Sequence, residues 1–206
     1  MPTPSYHHGA LSDALLAAAA ETLEAGGLEA LSLREVARRA GVSSAAPYHH
    51  FPDKQALQVA LAIEGFEALE ASLRRDSRRA APGRARLRAV AFGYLRFARK
   101  RPALYQLMFS PLLAEARGKG PLFEASLRAL SVLASAIDSP EPLDVVLAWA
   151  LGHGVATLMG LNLLHGPRLG APSRRVDHDV MERLVALLQH GGTPRRTRPR
   201  ARATSA

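Results

Sequence analysis

Apolar residues recur at intervals of three and four along most of the chain, and this helical period is the feature that most restricts the fold. Alanine, leucine, arginine and glutamate dominate, whereas alternation of β-branched residues at a period of two is rare. Glycine and proline interrupt the periodic segments, as at Gly26-Gly27 and Pro82-Gly83. The sequence therefore predicts an all-α protein.

The composition excludes several classes of site. The 206 residues contain no cysteine, which excludes disulfides, thiolate-bound zinc and a cysteine nucleophile. The formal charge of +9 favours a polyanionic partner, either nucleic acid or an anionic membrane surface. The first 60 residues nevertheless carry more acids than bases, and the surplus of arginine lies in 74–101 and in the tail 193–206. Charge alone is thus no argument for DNA binding, and these runs are typical of solvated helix faces and a disordered tail.

Caps and breaks divide the chain into helices. Ser12 or Asp13 is expected to cap the first helix, Ser32 the second through a capping box with Glu35, Ser43 the third and Asp53 the fourth. The predicted helices cover residues 13–25, 33–40, 44–50, 54–79, 87–98, 103–109, 123–137, 143–165 and 177–190.

The first fifty residues meet the demands of a helix-turn-helix. Two helices that cross closely need a small residue where they touch, and Ala37 has that size. Gly41 lies four residues later, where the turn needs glycine, and Val42 follows as an apolar anchor. The side chains of 44–46 are short enough for the next helix to enter a major groove. Each signal alone is common in ordinary helical hairpins, but together and at this separation they favour DNA binding.

The segments LREVARRAGVS (33–43) and YHHFPDK (48–54) resemble the DNA-binding region of TetR/AcrR-type transcriptional regulators. The resemblance is dense over 6–61 and looser to residue 190. It implies an obligate homodimer, an N-terminal three-helix DNA-binding domain, a helical ligand-binding and dimerisation domain, and an operator with two-fold symmetry. Trp149 followed by His153-Gly154 is similar to a subgroup of that family.

The same resemblance assigns roles to individual residues. Ser32 and Arg34 would meet DNA at the start of the second helix, Tyr48 and Lys54 would hold phosphates, and Phe51 would lie in the core. The implied DNA-binding residues are Ser32, Arg34, Ser43, Ser44, Ala45, Ala46, Tyr48, His49 and Lys54. Pro47 replaces the aliphatic residue usual in the family, which should cost an apolar contact but not the fold.

The C-terminal part carries a group of aromatic and polar residues that the resemblance places around an effector cavity. Each of them alone is an ordinary core residue, and His153 lacks a second ligand at chelating spacing on its helix, so we expect no metal and no cofactor. The candidate pocket residues are Phe92, Leu95, Tyr105, Met108, Phe109, Trp149 and His153.

Small residues recur every fourth position along the apolar segment 145–164, and such a stripe allows another helix to approach closely. This segment also has the length of a membrane span, so a membrane-attached protein is the alternative function. We prefer a soluble dimer, because His153 and Asn162 are costly in lipid and an amphipathic helix follows. The candidate dimer residues are Ala148, Gly152, Ala156, Gly160, Leu184 and Leu188.

The sequence thus predicts a cytoplasmic, ligand-responsive repressor rather than an enzyme, since no nucleophile–base pair or phosphate loop is evident. Its expected partners are double-stranded DNA with an inverted-repeat operator, a small apolar or amphipathic effector, and a second copy of the chain. The expected domains are the DNA-binding domain 1–53, a connecting helix 54–79, the ligand-binding domain 80–192 and the tail 193–206.

Overall fold

The computed structural model describes residues 7–137, 141–163 and 176–190, and in these ranges the chain forms eight α-helices, two short 3-10 helices and no strand. The all-α prediction is confirmed. In chain order the elements are α1 (His7–Ala30), α2 (Leu33–Arg39), a first 3-10 helix (Ala46–His49), α3 (Lys54–Arg79), α4 (Arg84–Lys100), α5 (Pro102–Met108), a second 3-10 helix (Pro111–Leu113), α6 (Gly120–Ala134), α7 (Pro142–Gly160) and α8 (Val176–His190). The tail 193–206 lies outside the described residues.

Local capping chemistry accounts for the helix boundaries that were predicted correctly. Ser32 accepts a hydrogen bond from the Glu35 amide at 3.1 Å and begins α2, and Asp53 accepts one from Ala56 at 2.7 Å and begins α3. Gly27 leaves the helical conformation at φ 70°, ψ −169°, so α1 is broken at the expected glycine pair and one further turn follows. The predicted start of α1 at 12 or 13 was wrong, because the helix begins at His7.

Helix α3 is the central element of the subunit. Its 26 residues span about 39 Å at 1.5 Å per residue. Leu57 and Leu61 near its start and Leu69 and Leu73 near its end belong to one buried cluster, and α3 contacts α1 as well as α4 and α6. The N-terminal module and the C-terminal helices therefore share one core.

A carboxylate of α1 fixes the start of α5. Glu24 accepts hydrogen bonds from the Ala103 and Leu104 amides, both at 3.2 Å, and lies 3.5 Å from the Arg101 guanidinium. These amides belong to the first turn of α5, which has no carbonyl partners for them within the helix. A residue of the N-terminal module thus caps a helix of the C-terminal part, a contact that the sequence did not reveal.

Helices α7 and α8 bear on two expectations. Helix α7 ends at Gly160 rather than near 165, since Asn162 adopts a positive φ of 54°. Only part of the small-residue stripe is covered within the subunit: Ala148 and Ala156 are buried, as is Leu184 of α8, and α4 and α8 of the same chain contact α7. The assignment of these residues to a dimer interface stays a prediction. The other predicted dimer residues are Gly152 and Leu188, which are half-buried, and Gly160, which is exposed.

Gly65 allows α3 and α5 to approach closely, which generates a stability prediction. A Cβ at Gly65 would lie 2.7 Å from Sδ and 2.9 Å from Cγ of Met108, which is fully buried. Gly152, also helical, has nothing within 4 Å of an added Cβ. We expect Gly65→Ala to destabilise the protein by about 1–3 kcal/mol through overpacking, and Gly152→Ala to leave it equal or more stable by up to about 1 kcal/mol through helix propensity. Denaturant unfolding of both variants would measure this; equal effects would contradict it.

Candidate DNA-reading surface and effector cavity

The turn after α2 has the geometry of a helix-turn-helix. Ala37 is buried, and its carbonyl accepts a hydrogen bond from the Val42 amide at 3.0 Å. Gly41 between them has a φ of 70°, which is the left-handed conformation that glycine adopts at little cost. Val42 is half-buried and packs against the main core cluster. The three residues predicted to shape the turn therefore do so.

The segment after the turn is shorter than expected. Instead of an α-helix over 44–50 capped by Ser43, the structure has a single 3-10 turn over Ala46–His49. The cap predicted at Ser43 was wrong, because the residue before this turn is Ala45 and no side chain caps it. The Ser43 carbonyl accepts the Ala46 amide at 3.0 Å instead.

Pro47 anchors this short turn. Its ring is buried and its carbonyl accepts the amides of His50 at 3.0 Å and Phe51 at 2.8 Å. Phe51 is also buried, as the resemblance implied. The expected loss of an apolar contact at Pro47 was thus wrong, since the proline ring itself fills the core position. Buried Pro47 and Phe51 attach the turn to the core, and Tyr48 and His49 between them are exposed.

The predicted DNA-binding residues lie at the surface. Tyr48 is 57% exposed, a large fraction for an aromatic ring, and Arg34 on α2 is exposed. His50 is half-buried, as expected. The remaining predicted residues are Ser32, Ser43, Ser44, Ala45, His49 and Lys54, which are exposed, and Ala46, which is half-buried.

The three arginines of α2 differ in their ion pairs. Arg38 pairs with Glu35 at 2.7 Å and Arg39 with Glu21 at 3.4 Å, whereas Arg34 has no carboxylate within 4.0 Å in the described part of the chain. The pairing with Arg38 lowers the pKa of Glu35 and keeps it ionised. Lys54 donates to the Leu28 carbonyl at 3.0 Å, which leaves two of its three protons for another acceptor. Neutralised acids therefore limit the repulsion that a phosphate would meet here.

A cavity of about 250 Å³ lies between α3, α4, α6, α7 and α8. It separates two clusters of buried apolar residues, since Leu69 and Leu122 belong to one cluster and Leu87 and Val185 to the other. The lining is apolar except for the polar groups of Tyr94, Arg117, Ser126 and Trp149. This combination of an apolar wall with few polar groups is typical of a small-molecule site.

A polar triad lies next to the cavity. The hydroxyl of Tyr105 is 2.7 Å from Nδ1 of His153, and the hydroxyl of Tyr94 is 3.0 Å from the same nitrogen and 3.1 Å from the Tyr105 oxygen. Burial raises the pKa of Tyr105 to about 12 and that of Tyr94 well above its usual value, so both hydroxyls keep their protons. Burial, and then the positive charge of Arg117, lower the pKa of His153, so its ring is neutral at pH 7.

Arg117 was missed at the sequence level, although it is the cation of the cavity. It is half-buried, and one terminal nitrogen donates to the carbonyls of Met108 and Ser110, both at 2.9 Å. It follows the second 3-10 helix in an irregular segment, where no helical period signals which side chains point inward. Its contacts therefore became visible only with the fold.

Two family models match the chain. Residues 15–61 match the model described as bacterial regulatory proteins, tetR family, and residues 87–188 match the tetracyclin repressor-like C-terminal domain. The chain belongs to the TetR family of bacterial regulatory proteins. A Rhodococcus sp. RHA1 protein of unknown function is 35% identical, with a TM-score of 0.73 over 93% of this chain and 100% of that one.

Other TetR-family structures share the fold at lower identity. A TetR family transcription regulator from Marinobacter aquaeolei VT8 is 18% identical, with a TM-score of 0.61 over 86% of this chain and 95% of that one. A TetR transcriptional regulator from Rhodococcus sp. RHA1 is 23% identical, with a TM-score of 0.61 over 88% and 96%. Membership of this family of transcription regulators disfavours the membrane alternative, although α7 has the length and hydropathy of a span.

In this TetR-family chain, the predicted pocket residues divide into three groups. Phe109 and Trp149 line the cavity, and Tyr105 and His153 form the adjacent triad. The other three lie outside the cavity lining: Leu95 and Met108 are buried in the core, and the ring of Phe92 contacts that of His178, with centroids 4.8 Å apart and planes tilted by 44°.

The lowered pKa of His153 generates a pH prediction. A histidine with a lower pKa in the folded than in the unfolded protein binds more protons when unfolded, so its contribution to stability is present above about pH 6.5 and is lost as the pH falls through the folded pKa. We expect the melting temperature of the wild type to fall more between pH 7.5 and 5.0 than that of His153→Asn, which keeps an acceptor but does not titrate. Parallel melting curves across this range would argue against a depressed pKa.

Proposed function

We propose that this TetR-family regulator is a repressor that binds an inverted-repeat operator as a homodimer and is released by a small apolar or amphipathic effector. The observation that carries the proposal is the largely exposed turn 43–49, which buried Pro47 and Phe51 attach to the core. A turn with small side chains and one exposed tyrosine suits entry into a major groove and contact with phosphates. Arg34 and Lys54 supply the cations, and the protein acts in the cytoplasm, where its DNA lies.

The dimer surface in this proposal is the outer face of α7 together with α8. Large apolar side chains are exposed along α7 at helical spacing, and the most exposed is Leu143 at 76%. A soluble subunit rarely leaves such a stripe in water. The exposed apolar residues are Leu143, Val146, Leu147, Leu151 and Leu158 on α7, Leu161 and Leu163 just after it, and Val180 and Leu187 on α8. Pairing two copies through these faces would form a four-helix interface.

Helix α5 is the element through which an effector would act. It carries Tyr105 of the triad beside the cavity, and its first turn is capped by Glu24 of α1. An effector that binds better when α5 is displaced shifts the population away from the DNA-binding conformer. Displacement of α5 then changes the orientation of α1 and α3. This alters the distance between the turns 43–49 of the two subunits in the dimer.

The finer assignments follow the same reasoning. We assign residues 1–53 to DNA reading, 54–79 to the connecting helix and 80–192 to effector binding and dimerisation. These boundaries are supported by α3, which contributes Leu57 and Leu61 to the core at its start and Leu69 and Leu73 at its end. Trp149 lines the cavity and His153 belongs to the triad, which supports the subgroup assignment.

The direct test is selection of DNA by the purified full chain. Random duplexes retained by the protein are sequenced after several rounds of enrichment. We expect an inverted repeat whose half-site centres are about 34 Å apart, one turn of DNA. Enrichment of no sequence, or of an asymmetric single site, would contradict the proposal.

On the selected operator, we expect Arg34→Ala to weaken binding by roughly 10- to 150-fold, since a hydrogen bond to a charged group contributes about 1.5–3 kcal/mol. The slope of log affinity against log salt should become shallower by about one. The matched control is Arg84→Ala, which removes an exposed arginine at the start of α4, beyond the far end of α3. Fluorescence anisotropy at several salt concentrations measures both; equal losses in the two variants would show that Arg34 acts only through net charge.

The dimer surface is tested by a charge on α7. We expect Leu147→Glu, at a position 51% exposed in the subunit, to convert the dimer into monomers, because a carboxylate would be buried at the interface. Leu112→Glu, at a position 56% exposed on the second 3-10 helix, should leave the dimer intact. Light scattering after gel filtration gives the mass of each; a Leu147→Glu dimer would exclude this face.

A further inference from the structure

Arg117 brings a positive charge to a cavity that holds no negative one. None of the described residues lining the cavity is Asp or Glu, and Arg117 has no carboxylate within 4.0 Å in the described part of the chain. The carbonyls of Met108 and Ser110 accept its protons but carry no net charge. The neighbouring His153 is the other titratable cation, and it is neutral at pH 7. Among the described residues, the cavity therefore carries one positive charge that no carboxylate compensates.

We propose that the effector is an amphiphile with a single carboxylate head, held by Arg117, and an apolar tail. This rests on the proposed effector function and names the chemical class of the ligand. A guanidinium half-removed from water binds a carboxylate through charge-assisted, often bidentate hydrogen bonds. A cationic ligand would meet repulsion from Arg117 and no acid to pair with.

The apolar wall accounts for the tail. Leucine, valine and alanine side chains of α3, α4, α6 and α8 form most of the lining. The cavity volume of about 250 Å³ corresponds to about eight groups of the size of a water molecule, which is close to that of a methylene. Ser126 donates its proton to the Phe123 carbonyl at 2.7 Å, and the Tyr94 hydroxyl is held by Tyr105 and His153, so among the described lining residues Arg117 is the charged donor for a carboxylate. A chain of about eight carbons thus matches both the volume and the chemistry.

The contacts of Arg117 connect this ligand to α5. The carbonyls that it holds lie at the end of α5 and just after it, whereas Glu24 of the DNA-binding module holds the first amides of α5. A carboxylate on Arg117 competes with those carbonyls for the guanidinium. The ligand would therefore loosen one end of the helix whose other end is tied to α1.

Trp149 provides the readout, because it is the single tryptophan of the chain and lines the cavity. Its fluorescence is titrated in the purified full chain with octanoate, 1-octanol and octylamine, which share a tail and differ in the charge of the head. We expect a saturable change with octanoate, a dissociation constant at least tenfold higher for 1-octanol, and the weakest binding for octylamine. Equal binding of octanoate and 1-octanol, tighter binding of octylamine, or no response to any of the three would overturn the proposal.

Arg117→Gln isolates the charge, since glutamine can still donate to the two carbonyls. We expect it to raise the dissociation constant of octanoate at least tenfold and to change that of 1-octanol less than twofold. The control Arg128→Gln removes an arginine on α6 that pairs with Glu67 and Glu70 outside the cavity, and it should leave both unchanged. Loss of both ligands in a folded Arg117→Gln would overturn the proposal. If Arg117→Gln fails to fold, the wild-type ligand series decides.

This test is independent of the proposed repressor function. The fluorescence titration needs no DNA, and the DNA selection needs no ligand. An enriched inverted repeat together with failure of the octanoate series would reject the carboxylate and leave the repressor. Octanoate binding without any selected DNA would reject the repressor and leave the ligand class.

Discussion

The shared burial of α3 is the constraint on which the rest of the structure depends. One continuous helix supplies Leu57 and Leu61 to the N-terminal module and Leu69 and Leu73 to the C-terminal helices. Burying each such leucine contributes about 1.5–3 kcal/mol, so neither end can detach without a loss comparable to the stability of a domain. The turn 43–49 is therefore attached through α3 to the wall of the cavity.

Local chemistry explains what could be predicted from the sequence. The caps at Ser32 and Asp53 and the turn at Gly41 depend on atoms a few residues apart, and their signals lie within the same few letters. The single 3-10 turn after Gly41 was not predicted, because the carbonyl of buried Pro47 receives two amides in a geometry that a helical period does not encode. The α-helices could thus be predicted from the sequence, whereas the 3-10 form of Ala46–His49 could not.

Contacts between distant elements explain the errors. The small-residue stripe of α7 does not indicate its partner: Ala148 and Ala156 are buried within the subunit, where α4 and α8 contact α7, whereas an added Cβ at Gly152 or Gly160 would meet nothing within 4 Å. Arg117 lies in an irregular segment, and its role depends on the carbonyls of Met108 and Ser110 and on a cavity formed by five helices. The sequence analysis named Trp149 and His153 of the candidate effector site but not Arg117, the cation of the described cavity lining.

The hydrogen bonds at the two ends of α5 have energies of the size that the proposed coupling between effector and DNA needs. Glu24 accepts two amides at one end and Arg117 donates to two carbonyls at the other, so four hydrogen bonds involve a charged group. Each contributes about 1.5–3 kcal/mol, and typical allosteric coupling needs only about 1–3 kcal/mol, or 5- to 150-fold in affinity. In the proposed mechanism, a difference of one such bond between the two conformers matches the coupling needed. Because linkage is reciprocal, that mechanism requires operator DNA to weaken effector binding by the same factor.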